Sequence, residues 1–165
     1  MRRLFLSFFG AGYLRPAPGT WGSLAALPAA WVVTIIGGPL LLIIAGVALY
    51  FGGVKAAQAE TEASGAHDPG WIVIDEVVGQ WIALLPVVIG AWRVGLSPLN
   101  LWPGIVAAFL LFRLFDIWKP GIIGKADRRD DATGVMLDDV WAGVFAAIGV
   151  ILLAAIAHIP MIFGS

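Results

Sequence analysis

The sequence predicts an all-α, polytopic integral membrane protein with about four to five membrane-embedded helices and its charged motifs gathered at one cytoplasmic edge. Two observations carry this. Of 165 residues, 60% are hydrophobic and 13% charged, and the mean hydropathy is +0.92, beyond what a soluble core absorbs. The apolar residues also fall into five stretches, Trp21 to Ile36, Leu40 to Phe51, Trp71 to Ala91, Leu101 to Ile117 and Val140 to Phe163. Residues 1–165 leave room for a single membrane-embedded domain.

Each stretch has its own logic. The third and fifth are long enough to cross a hydrocarbon core, which takes about 20 residues. The first two are short, and Gly37, Gly38 and Pro39 break them apart. They suit a tight helical hairpin, crossing or re-entrant, and either form returns the chain to its starting side. Met1-Arg2-Arg3 followed by Leu4, Phe5 and Leu6 imitates a signal peptide, but Ser7 and the stretch from Gly10 to Pro18 cut the apolar run short, so a basic cytoplasmic N-terminus is expected.

Charge tests this threading. With the N-terminus inside, Arg2, Arg3, Arg15, Lys55, Arg113, Lys119, Lys125, Arg128 and Arg129 fall on or near one side, leaving Arg93 outside. All eleven acids fall on the basic side too, which the orientation rule does not require. That one-sided clustering points to a working surface. The absence of cysteine excludes thiolate nucleophiles, thiolate metal sites and disulfides, so any chemistry uses oxygen and nitrogen groups.

Lys55 to Ala63 reads as a helical extension stopped at Ser64-Gly65. Asp68 before Pro69 suits the N-cap of the next helix, with metal binding as its alternative. Asp75 and Glu76 then sit roughly 6 to 9 Å along an apolar helix counted from Trp71. An unpaired carboxylate is costly there, so a cation is expected: a salt bridge to a neighbouring helix, with Arg113 as the candidate, or a metal. Arg113, Asp116 and Lys119 form a base-acid-base stripe, satisfied by an intrahelical Arg113–Asp116 pair or suited to holding a phosphate. Asp127 to Asp131 reads as a solvated charge cluster. Asp138 and Asp139 open the last apolar helix, where capping explains one of them but not readily both.

The two acid pairs are alike. Asp75-Glu76 precedes Gly79, and Asp138-Asp139 precedes Ala142-Gly143, so small residues about one turn on would let two helices pack closely. Four carboxylates could then surround hard cations such as Mg²⁺. Near the N-terminus, the Gly-rich run from Gly10 to Ser23 matches neither the dinucleotide nor the Walker pattern. Thr20 and Ser23 at a helix start either bind an anion through backbone N–H groups or simply cap the helix.

Taken together, Pro18-Gly19-Thr20-x-Gly22-Ser23, His67-Asp68 with Asp75-Glu76-x-x-Gly79, Phe112-Arg113-x-x-Asp116-x-x-Lys119-Pro120, and Gly134-x-Met136-x-Asp138-Asp139-x-x-Ala142-Gly143 resemble the phosphatidylglycerophosphatase A family in order and spacing. The resemblance implies Mg²⁺-dependent hydrolysis of phosphatidylglycerophosphate to phosphatidylglycerol. It also implies a multi-pass protein of the bacterial inner membrane, with its active site facing the cytoplasm, the lipid bilayer and lipid substrate as partners, and no nucleic acid. On this reading Asp75, Glu76, Asp138 and Asp139 hold Mg²⁺, and Asp116 is a further ligand or an orienting residue. Arg113 and Lys119 stabilise the phosphoryl group, Gly19, Thr20 and Arg15 join them in binding substrate, and His67 is a candidate proton donor. Arg15-Pro16, Gly121 and Asp131-Ala132-Thr133 depart from the family pattern. A small ion or lipid transporter is the rival, since intramembrane carboxylates also mark ion paths, but it predicts charge spread through the membrane.

Overall fold

The computed structural model describes residues 1–65, 69–129 and 131–163, with side chains to residue 157. The described residues form six α-helices and no strand: α1 (Arg2–Leu6), α2 (Pro18–Ser64), α3 (Ile74–Arg93), α4 (Trp102–Trp118), α5 (Ile122–Asp127) and α6 (Ala132–Phe163). Four of them, α2, α3, α4 with the 3₁₀ turn before it, and α6, are long and apolar enough to cross a membrane. Large apolar side chains such as Ile35, Ile36, Leu40, Leu110 and Leu152 lie bare on their outer faces. In water such a surface would drive association; against lipid it is the expected exterior.

The 47 residues of α2 are not one rod. Helical geometry fails at Gly37 (φ −147°, ψ 20°) and Gly38 (φ 64°, ψ −162°), and Pro39 follows with no N–H to rebuild the ladder. The neighbours of the two limbs establish a hairpin. Gly22 on the first limb packs on Val73 and Gly53 on the second packs on Ile74, whereas a Cβ on Gly38 would lie 3.0 Å from the Trp92 ring. Hence residues 18–36 run down the length of α3 and residues 39–64 run back up it. Gly38 turns the chain because its positive φ is open to glycine and strained for other residues. The indole N–H of Trp81 fastens the first limb midway, donating to the Ala26 carbonyl at 2.9 Å. Gly65, in the left-handed conformation (φ 68°), ends the second limb where the expected Ser64-Gly65 stop lay.

Two expected helix starts move. Helix α3 begins at Ile74, not at Pro69, because the Val73 N–H is taken by the Leu6 carbonyl at 2.9 Å and the Ile72 N–H by Pro69. Asp75 and Glu76 therefore occupy the first turn of α3 rather than its second. Asp68 lies outside the described residues. Helix α6 begins earlier than expected, at Ala132, so Asp138 and Asp139 stand almost two turns inside it and cap nothing. Asp131 does the capping: its Oδ1 accepts from the Gly134 N–H at 2.7 Å.

Packing brings the charged ends together. Helices α3 and α6 touch backbone to backbone, since a Cβ on Gly143 would overlap the Gly79 carbonyl, and Phe112 of α4 fills the space beside Gly79. Small residues allow this approach, as the paired motifs predict. At the same end, Arg2 and Arg3 of α1 each donate at 2.7 Å to the carboxylate of Glu60, which is 1% exposed. The N-terminal helix is thereby clasped to the end of α2.

Candidate active site

Three helices deliver the acids. The first turn of α3 supplies Asp75 and Glu76, the second turn of α6 supplies Asp138 and Asp139, and the C-terminal half of α4 supplies Arg113 and Asp116. Lys119 follows α4 at its left-handed C-cap (φ 50°), and the short α5 brings Asp127 back over it. A cavity of about 220 Å³ lies among them, walled among the described residues by six carboxylates, Asp75, Glu76, Asp116, Asp127, Asp138 and Asp139, against the two cationic side chains Lys119 and Arg129.

Within the cavity the carboxylates divide into two groups. Oxygens of Asp75, Glu76 and Asp139 lie within 4.8 Å of one another, and Asp75 and Asp139 are buried. An Asp75 oxygen also accepts from the Glu76 N–H at 3.1 Å. Asp138 turns instead to Lys119, whose Nζ donates to it at 2.7 Å and also to Asp127. Of the four expected metal ligands, three converge and the fourth faces a lysine. Burial acts to lower the Lys119 pKa, but the bonds to Asp127 and Asp138 outweigh it and hold the ammonium above the ordinary lysine value. Asp127, expected in a solvated cluster, is half exposed yet forms part of this wall.

Arg113 Nη1 forms an ion pair with Asp116 at 2.5 Å, one of the two roles the base-acid-base stripe allowed. Its Nε is buried without an acceptor. On the cavity wall, Glu76 Oε2 and Asp138 Oδ1 are buried without a donor. Unfilled groups of both signs in one buried place are costly, and complementary ligands relieve the cost. The start of α2 closes over them: a Cβ on Gly19 would collide with the Glu76 carboxylate and lie 3.1 Å from Arg113 Nη1. Gly19 is therefore a close approach of backbone to the charged pair, which any side chain would block.

The remaining expected residues are placed differently. Thr20 is half-buried in the first turn of α2. Ser23 is buried and donates to the Gly19 carbonyl at 2.8 Å, an internal helix bond that occupies its hydroxyl proton. Arg15 is exposed and lines a separate, adjoining cavity. His67 lies outside the described residues. Gln80 was not anticipated from the sequence. It is fully buried one turn beyond Glu76, with neither amide atom hydrogen-bonded. An amide within the apolar run after Asp75-Glu76 was its available signal.

The fold and cavity define a polytopic membrane protein with a carboxylate-rich site at one end of its helical bundle. Sequence comparison gives the family: the chain belongs to the phosphatidylglycerophosphatase A family, whose profile matches residues 4–154. It is thus an enzyme of the phosphatase class. It is similar to phosphatidylglycerophosphatase A of Escherichia coli K12, with 37% identity over 142 residues covering 84% of this chain and 75% of the relative. The protein of the same description from Haemophilus influenzae is 38% identical over 141 residues, covering 85% and 80%. A Bacteroides thetaiotaomicron protein described as "Putative phosphatidylinositol-3-phosphatase" is 38% identical over 148 residues, covering 85% of each chain. No solved structure matches.

Proposed function

We propose that this protein hydrolyses the phosphate monoester of phosphatidylglycerophosphate to phosphatidylglycerol, using Mg²⁺, at the cytoplasmic face of the bacterial inner membrane. The observation that carries the reading is the convergence of Asp75, Glu76 and Asp139 within 4.8 Å, in a cavity that Lys119 also lines. Six carboxylates against two cations on the cavity wall would repel a phosphate dianion. A hard divalent cation among all-oxygen donors reverses that balance, and the donor set fits Mg²⁺. Asp75, Glu76 and Asp139 would hold it, with Asp138 available through its unfilled Oδ1. When bound, such an ion supplies Lewis acidity and lowers the pKa of water.

The chain's own residues supply the rest. Arg113 Nε, buried and unfilled close to the cavity acid Asp116, would offer a donor to a phosphoryl oxygen, and Lys119 on the cavity wall adds a fixed positive charge. Gly19 keeps side chains out of the space above Glu76. In the balanced reaction, water oxygen bonds to phosphorus, the bond from phosphorus to the glycerol oxygen breaks, and a proton passes to the departing alkoxide, leaving inorganic phosphate. Lys119, held protonated, serves as a fixed positive charge in the cavity, and water supplies that proton.

Two of the similar relatives are described as acting on phosphatidylglycerophosphate and one on a phosphoinositide, so a lipid monoester is the feature they share. The test uses solubilised, purified protein supplied with phosphatidylglycerophosphate, phosphatidate and phosphatidylinositol 3-phosphate in mixed micelles, with Mg²⁺ or a chelator. Phosphate release that is fastest on phosphatidylglycerophosphate and abolished by chelation is expected. Faster release from the phosphoinositide would reassign the substrate, and release unaffected by chelation would remove the metal.

A further inference from the structure

A second cavity of about 440 Å³ lies against the acid-lined one, and Gly70 forms part of both walls. Its own lining has a different chemistry. Among the described residues Arg15 is the one charged side chain on the wall, with Tyr13 and Trp71 lining it too, their rings stacked at 5.6 Å between centroids. Gly12 and Pro18 complete it, and a Cβ on Gly12 would overlap the Trp71 carbonyl, so this corner is fixed by a close backbone contact. Arg15 forms no ion pair among the described residues, although acids crowd the neighbouring cavity. Tyr and Trp are the side chains that settle at the headgroup boundary of a bilayer.

We infer that Arg15 and the Tyr13–Trp71 corner form a subsite for the second phosphate of the lipid headgroup, the diester phosphate that joins the glycerol to the acyl-bearing half. This rests on the phosphatase reading above. A substrate with a terminal monoester in the acid-lined cavity must carry its diester phosphate one glycerol unit away, toward the lipid. The adjoining cavity lies next to the first through Gly70 and presents an unpaired guanidinium, whose planar donors match two phosphate oxygens. The diester has one negative charge and needs no metal, which agrees with a wall that carries no carboxylate among the described residues. The two cavities thus sort the phosphates by charge: acids awaiting a cation for the dianion, one arginine for the monoanion. Lipids with a monoester attached directly to diacylglycerol have no group to place there.

The test compares kcat/KM on phosphatidylglycerophosphate with that on phosphatidate for the wild type, Arg15→Gln and Arg15→Lys. The expected result is that Arg15→Gln lowers the ratio of the two about tenfold, chiefly through KM on the two-phosphate lipid, and that Arg15→Lys restores part of it. An unchanged ratio overturns the subsite, whether both activities hold or both fall together. A separate arm measures binding of solubilised protein to micelles containing phosphatidylglycerol, which has the diester phosphate alone. Weaker binding by Arg15→Gln than by wild type is expected, and equal binding overturns the inference. Wild-type protein that releases no phosphate from any lipid sinks the phosphatase reading instead, and the binding arm still decides the fate of Arg15.

Discussion

Gly79 and Gly143 meet without side chains between them: a Cβ on Gly79 would lie 2.6 Å from the Asp139 carbonyl, and one on Gly143 would strike the Gly79 backbone. This contact stands one turn beyond Glu76 on α3 and one turn beyond Asp139 on α6. It therefore sets the distance between the acids those helices carry. Gly79→Ala and Gly143→Ala should each push the helices apart, destabilise the protein by about 1–3 kcal/mol as overpacking does, and cut turnover further than the lost folded fraction explains. Thermal unfolding in detergent, read beside specific activity, checks this. Wild-type turnover in both variants would mean that the acids do not depend on this spacing.

The carboxylates should separate by role. Asp75→Asn, Glu76→Gln and Asp139→Asn are each expected to accumulate in membranes, weaken Mg²⁺ binding and lower kcat by about 100-fold or more, the scale of losing a preorganised electrostatic group. Asp138→Asn should lower turnover with a smaller change in Mg²⁺ affinity, because its carboxylate is engaged by Lys119 at 2.7 Å. Titration of Mg²⁺ against activity for the four variants measures the difference. Equal Mg²⁺ shifts in all four would place Asp138 among the ligands on the same footing.

Lys119→Met removes the partner of both Asp127 and Asp138. Turnover should fall about 10- to 100-fold through the lost charge-assisted contacts to phosphate, while Mg²⁺ affinity stays the same or rises as a repelling cation leaves the cavity. Weakened Mg²⁺ affinity would make Lys119 a support of the metal site rather than a group for substrate.

Asp131, paired with Arg129 of the cavity wall, gives a pH test of stability. The Arg129 guanidinium and the Gly134 N–H hold its carboxyl below the usual value. A depressed native pKa contributes stability that is present above the unfolded pKa of about 3.9 and is lost as pH falls through the native value. The Tm difference between wild type and Asp131→Ala should thus be constant from neutral pH to about 4 and shrink below that. Asp131→Asn, which keeps an oxygen to cap α6 but loses the charge facing Arg129, should fall between Asp131→Ala and wild type at neutral pH. A difference that already shrinks near neutral pH would assign it to another group.

Topology is open to direct mapping. Reporters fused after Lys55 or Lys125 should report the cytoplasm and one near Arg93 the opposite side, from the nine-to-one distribution of bases. Lys125 and Arg93 on one side would refute the threading.

Much of this arrangement was legible because it is local or set by solvent. Gly37-Gly38-Pro39 marks the hairpin tip, Ser64-Gly65 the stop, and the Asp75-Glu76 and Asp138-Asp139 pairs carry their own packing glycines. What escaped is non-local. Nothing in the run before Ile74 reveals that Leu6 will occupy the Val73 N–H and delay α3. Nothing near Glu60 reveals that Arg2 and Arg3, legible as an orientation signal, also neutralise a buried acid 57 and 58 residues away. Asp127 looked solvated because its neighbours are charged, and it joins the cavity only because α5 folds back over Lys119.

The hairpin of α2 has a consequence for how such a chain can change. Its two limbs cancel, so α3 leaves from the end where the protein began, α4 returns to that end, and α6 leaves it again. Asp75 and Asp139 share a face only because the number of crossings before each is even. Insertion or loss of whole crossings is tolerated in twos, whereas a single crossing gained between α3 and α6 would carry half the acids to the opposite surface. Parity, more than the length or sequence of any one span, is the property a rearranged descendant must conserve.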